Sequence, residues 1–198
     1  MSAHTALLLV DLQNDFLHPE GAYGRAGQGA AEIAALPGRL APLAHAVRAA
    51  GGSVVATQFT LVPGRDGQPI VSAHLRALRP FLQAGDFLPG AWGHQVVDAL
   101  QPVDFGIEKV AYSAFYMTRL EWVLRKAGLT RLVVSGIVTN GGVASTVRDA
   151  HVRDMEVTVL HDGCAAFTPA VHDAAIEGLR PVARVASVAD VLAEFSRA

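Results

Sequence analysis

Ala6-Leu7-Leu8-Leu9-Val10-Asp11-Leu12-Gln13-Asn14-Asp15-Phe16 is the stretch that decides the fold. Five consecutive apolar residues running into an acid read as a strand buried on both faces. In open parallel sheets, ligands sit just beyond the carboxyl ends of such strands. Asp11 is thereby a carboxylate placed where ligands bind, on a wall that excludes water, and suited to moving a proton. The plain alternative is a side chain that caps the turn that follows.

Working outward, short apolar runs at 5–10, 53–58, 105–109, 131–135, 156–161 and 182–186 predict six strands. Helix-like segments lie between them, at about 30–51, 93–100, 117–128, 140–153, 169–179 and 188–196. The alternation predicts an α/β fold, a Rossmann-like three-layer αβα sandwich with a mainly parallel six-stranded sheet. Right-handed crossovers bring the strand ends, and so the site, to one edge. Gly51-Gly52 and Gly128 mark helix ends. No linker or repeat divides the chain, so residues 1–198 are expected to form a single domain. The irregular stretch 59–92 is long enough to be a lid, a binding loop or an oligomer contact, with a short helix expected at His74–Arg79.

Composition narrows the function classes. The net charge of -2 gives no general attraction to nucleic acid or anionic lipid. No apolar run approaches the roughly 20 residues needed to cross a bilayer. Met1-Ser2-Ala3-His4 leads straight into the first strand, so no signal peptide is expected. A single cysteine, Cys164, rules out an intramolecular disulfide and makes a reducing cytoplasm the expected home. The eight histidines lack zinc-type spacing, so no metal and no cofactor is expected.

Of 16 lysines and arginines only two, Lys109 and Lys126, are lysines. Lys109 ends the strand Phe105-Gly106-Ile107-Glu108-Lys109, as Asp11 ends the first. A compact ammonium there either partners the carboxylate, binds a substrate anion, or simply snorkels to water. Ser135-Gly136-Ile137-Val138-Thr139-Asn140-Gly141-Gly142-Val143 joins a strand to a helix through small residues. Backbone N–H groups at such a turn form a nest for an anion or developing oxyanion. Neither GxGxxG nor GxxxxGK[ST] is present, which argues against a nucleotide site.

These segments, with Glu108-Lys109-Val110-Ala111-Tyr112-Ser113-Ala114-Phe115 and Asp162-Gly163-Cys164-Ala165-Ala166, occur in order along nearly the whole chain. The sequence resembles the isochorismatase-like hydrolase superfamily, also called cysteine hydrolases. The resemblance implies that Asp11 is the catalytic acid or base and Lys109 its electrostatic partner. It places the family's nucleophilic thiol at position 142, where this chain has Gly142. A glycine cannot attack a carbonyl, so three readings stay open. One is a hydrolase that uses the Asp/Lys pair and water, as isochorismatase does, to cleave a vinyl ether or C–N bond of a small polar or anionic metabolite. The others are an inactive, ligand-binding paralogue and an engineered Cys-to-Gly variant of an amidohydrolase.

The resemblance further implies a non-proline cis peptide at Ile137-Val138 and backbone donors at Val138, Thr139 and Gly142. Gln58, Phe16, Tyr112 and Trp92 are expected to contact substrate. Thr57-Gln58-Phe59-Thr60 lacks the Asp-x-His pair of the metal-binding members. Cys164 is read chiefly as a small buried residue rather than a displaced nucleophile, and Ser145 lies too far into its helix. Relatives imply a homodimer or higher homo-oligomer, with 59–92 as the expected contact region.

Overall fold

The computed structural model describes residues 2–196. Six strands form one sheet: β1 Thr5–Val10, β2 Ser53–Phe59, β3 Phe105–Lys109, β4 Arg131–Ile137, β5 Glu156–Ala165 and β6 Arg184–Ala186. They lie in the order β3-β2-β1-β4-β5-β6, and every pairing is parallel. The α/β sandwich expected from the sequence is the fold observed.

Nine α-helical segments accompany the sheet among the described residues: α1 Asn14–Leu17, α2 Ala22–Arg25, α3 Ala31–Ala34, α4 Leu36–Ala49, α5 Ala73–Leu78, α6 Leu120–Lys126, α7 Ala144–His151, α8 Pro169–Glu177 and α9 Val188–Ser196. Strand β1 shows why three layers form. Its odd residues Leu7 and Leu9 pack with Leu40, Leu43 and Val47 of α4 and Val191 of α9. Ala6, Leu8 and Val10 face the other way, toward Leu124 of α6, Val147 of α7 and Ile176 of α8. All five are fully buried, so the period-2 alternation of a strand feeds two apolar cores at once.

Strand order runs outward in both directions from β1 and β4, and a crevice opens at their carboxyl ends. Gly136 allows those ends to converge. It pairs with Val10, and a Cβ on it would lie 2.2 Å from the Val10 carbonyl oxygen. Its φ of +114° is a further demand that only glycine meets easily.

Several boundaries depart from the sequence reading. The helix expected at 93–100 is absent; two 3₁₀ turns, Trp92–His94 and Asp98–Leu100, stand in its place. Between them Val96 bridges Gln13, and the Val97 amide donates to the Leu12 carbonyl at 3.0 Å. Pairing with the segment after β1 thus replaces helical hydrogen bonds. The helix expected at 30–51 is broken at Ala35 into α3 and α4, with Pro37 in the first turn of α4. The segment expected to be helical from 140 begins with a π turn over Thr139–Val143. Strand β5 continues to Ala165, so Asp162, Gly163 and Cys164 lie within it rather than after it.

Candidate active site

The carboxylate and the ammonium from distant parts of the chain meet at the crevice. Asp11 follows β1 directly, and its backbone φ of 56° turns the residue out of the strand direction. Its Oδ2 lies 2.6 Å from Lys109 Nζ, and both side chains are almost fully buried. The parallel register puts Phe59 beside Lys109 and Leu9 beside Ala56, which brings the ends of β1, β2 and β3 level.

Thr57 completes the arrangement. Its hydroxyl donates to Asp11 Oδ1 at 2.6 Å and accepts from the Asp11 amide at 3.1 Å. Lys109 Nζ also donates to the Ala111 carbonyl at 3.0 Å and lies 5.6 Å from the centre of the Phe59 ring. Removing two charges from water costs several kcal/mol per ion unless pairing and hydrogen bonds compensate. Here each oxygen of the carboxylate has a donor, so the pair is held in one geometry.

The pair opens onto a small cavity of about 70 Å³. Its walls include Phe16, Phe59, Phe87, Tyr23, Tyr112 and Phe167, with Ile137, Val138 and Gly142 from the end of β4 and the π turn. The Ile137-Val138 peptide is cis, as the resemblance implied. At Gly142 an added Cβ would stand 3.4 Å from Asp11 Oδ2 and 3.0 Å from the Ile137 carbonyl oxygen. A side chain at that position would therefore enter the cavity beside the acid. The amides of Gly141 and Val143 are already donated to the Val138 carbonyl, so neither is free to meet an oxyanion.

Asp15 organises the aromatic wall. Its buried carboxylate accepts from the Ala22 amide at 3.0 Å and the Phe87 amide at 2.6 Å. Those bonds hold the residues adjoining Tyr23 and Phe87 itself. The Phe16 ring lies 4.9 Å from that of Tyr23 and 4.5 Å from that of Phe87.

Three expected contacts do not reach this cavity. Gln58 points to the opposite face of β2 from Thr57, and its amide donates to the His94 carbonyl at 3.0 Å. Alternation along the strand requires this: only one of two neighbours can face Asp11. Trp92 stands half exposed at the surface, its ring edge-on to His18 at 4.9 Å. Thr139, expected as a backbone donor, is not among the residues of the cavity wall, and its side chain is buried against α8 with the hydroxyl 2.8 Å from His172 Nδ1. Phe16, Tyr112, Val138 and Gly142 do line the cavity with Asp11 and Lys109.

Cys164 stays apart, on the wall of a neighbouring cleft with Arg39, Asp162 and His172. Its sulfur lies 3.8 Å from the Val134 carbonyl oxygen, and burial pushes the thiol up to about 12. Such a thiol is protonated and poorly nucleophilic at neutral pH. The residues that the sequence did not reveal are Thr57, Tyr23, Arg79 and Phe167. Thr57 had a signal, since strand alternation sets it opposite Gln58. The others come from segments whose paths no local pattern dictates.

Comparison with known proteins agrees with this fold. A family model described as the isochorismatase domain matches residues 5–191. Ureidoacrylate amidohydrolase RutB of Methylobacterium radiotolerans is 35% identical over 212 residues, covering 99% of this chain and 82% of that protein. The enzyme of the same name from Caulobacter vibrioides is 33% identical over 169 residues, covering 80% of this chain and 75% of its own. Among solved structures, a cysteine hydrolase from Pseudomonas syringae pv. phaseolicola superimposes with a TM-score of 0.84 at 26% identity, covering 100% of this chain and 94% of that one. N-carbamoylsarcosine amidase from Thermoplasma acidophilum gives 0.72 at 27% identity, covering 93% and 96%. The chain belongs to the isochorismatase-like hydrolase family.

Proposed function

We propose that this protein hydrolyses a small anionic metabolite with water as the nucleophile, and that a C–N bond of a ureido or amide group is the bond cleaved. The observation that carries the reading is the buried Asp11–Lys109 pair, opening onto a cavity with no thiol in its wall. Similarity to proteins named ureidoacrylate amidohydrolase favours the C–N bond. Asp11, paired with Lys109, takes a proton from water as that water adds to the carbonyl carbon. The oxyanion is met by backbone donors of the turn at Val138 and Gly142. As the tetrahedral species collapses, the C–N bond breaks and the leaving nitrogen takes the proton back from Asp11. Position 142 takes the place of the family's cysteine in this reading, so no acyl-thioester forms.

Gly142 itself favours a second reading. Hydrolysis of a vinyl ether needs no covalent intermediate: protonation of the vinyl carbon by Asp11 gives an oxocarbenium ion that water captures. Assembly into a homodimer or larger homo-oligomer is also part of the proposal. Exposed Val110, Tyr112, Tyr116, Met117 and Trp122 after β3 support a self-contact there, beside the 59–92 stretch. The test is product release from ureidoacrylate, N-carbamoylsarcosine, nicotinamide and isochorismate by the wild type and Asp11→Asn. Turnover that disappears in the variant supports an Asp11-dependent hydrolase. Saturable binding of these compounds with no turnover by the wild type points instead to a binding protein.

A further inference from the structure

The cavity wall carries one acid and two permanent cations: Asp11, Lys109 and Arg79. Lys109 is matched by Asp11. Arg79 has no carboxylate partner among the described residues, so the cavity holds one uncompensated positive charge. Its guanidinium is nevertheless held in place. Nε donates to the Tyr23 hydroxyl at 2.9 Å, and Nη1 to the Leu78 carbonyl at 3.1 Å. The group also packs over the Tyr23 and Phe167 rings, 5.9 and 5.6 Å from their centres. Those rings stack nearly parallel, at 7°. Nη2 makes no hydrogen bond within the described residues.

Tyr23 adds a second donor. Its hydroxyl oxygen accepts from Arg79, which leaves its own proton without an acceptor among the described residues. Burial raises the Tyr23 pKa above its ordinary 10.0, so that proton remains in place at neutral pH. A fixed guanidinium edge and a phenol proton side by side match the two oxygens of a carboxylate. We propose that Arg79 and Tyr23 form the anchor for a substrate carboxylate, placed so that the scissile group reaches Asp11 in the same cavity. The preferred substrate is then a small carboxylic acid that carries its hydrolysable bond a few atoms from the carboxylate. The neutral amide of the same molecule is a poor ligand.

This assignment rests on the cavity being the substrate site, and binding can be measured separately from turnover. Calorimetric titration of Asp11→Asn protein compares ureidoacrylate and N-carbamoylsarcosine with their neutral primary-amide counterparts. The acid of at least one pair is expected to bind roughly 10- to 100-fold more tightly than its amide. In an Asp11→Asn, Arg79→Gln protein that preference falls several-fold, leaving only what the now unpaired Lys109 ammonium supplies, while the amide binds as before. Asp11→Asn, Tyr23→Phe, which keeps the ring, loses part of the preference. The assignment is overturned if no acid outcompetes its amide, if Arg79→Gln leaves the preference undiminished, or if that substitution weakens acid and amide alike, as a purely structural role would. An Arg79-dependent preference with no wild-type turnover of either acid sustains the anchor and counts against the hydrolytic reading alone.

Discussion

Replacing Gly142 with cysteine asks whether the cavity is a working hydrolase site that lacks only a thiol. The added Cβ would lie 3.0 Å from the Ile137 carbonyl oxygen, 3.2 Å from Val10 Cγ1 and 3.4 Å from Asp11 Oδ2. The first two contacts are tight, and shifts of a few tenths of an ångström relieve them at a cost of about 1 kcal/mol. Loss of glycine's freedom in the unfolded chain offsets roughly 0.4–1 kcal/mol of that. Gly142→Cys is therefore expected to fold, with Tm within about 4 °C of the wild type. The new sulfur stands beside the Asp11 carboxylate, which takes its proton as it attacks. Removing a nucleophile from an evolved enzyme costs up to about 10⁶ in kcat; a thiol placed without further refinement is expected to recover at least about 100-fold. The assay is ammonia release from ureidoacrylate and N-carbamoylsarcosine after base quench, with intact-mass detection of the acyl-thioester. A folded variant whose thiol is alkylated normally, yet shows no gain and no adduct, refutes the assignment of position 142.

Other expectations follow from single features of the fold. Asp11→Asn leaves the Lys109 ammonium buried beside a neutral amide and should cost about 3 kcal/mol in urea unfolding, whereas Asp11→Asn with Lys109→Met recovers most of that stability; equal losses in single and double variants would contradict a coupled pair. Cys164, with its thiol held at about 12, should resist iodoacetamide at pH 8 in the folded protein and react once unfolded. Burial lowers the pKa of His94 below its ordinary 6.5, so the unfolded chain takes up a proton that the folded one refuses. Stability is then fully present above pH 6.5 and falls as pH drops below it. His94→Gln should flatten that slope in unfolding measured between pH 7 and pH 5, and an unchanged slope would remove His94 as its source.

The sheet was legible because each strand is a short apolar run bounded by polar or small residues, while the order of the strands in it came from the structure. Asp11 and Lys109 could be singled out for the same reason, as charged residues at strand ends. The aromatic wall was legible only in part, at Phe16 and Tyr112. Tyr23, Arg79 and Phe167 arrive from segments far apart in sequence, and their meeting depends on tertiary bonds such as those of Asp15 to Ala22 and Phe87. Gln58 and Trp92 were misplaced because position near a strand end or in a loop says nothing about which face a side chain takes. The Gln13–Val96 bridge overrode the helical pattern at 93–100 in the same way. Cys164 fell beyond the strand expected at 156–161 because the apolar run ends there, while in the structure β5 continues to Ala165 and Gly163 packs closely on Leu160 and Leu40.

One single-turnover experiment goes to the centre of the account: wild type and Asp11→Asn, each mixed in excess with ureidoacrylate, with product and intact protein mass followed together. The predicted result is product from the wild type with no covalent adduct at any time, and at most about 1% of that rate from Asp11→Asn. An adduct on the wild-type chain, or product from Asp11→Asn at the wild-type rate, would contradict hydrolysis by water at the Asp11–Lys109 pair.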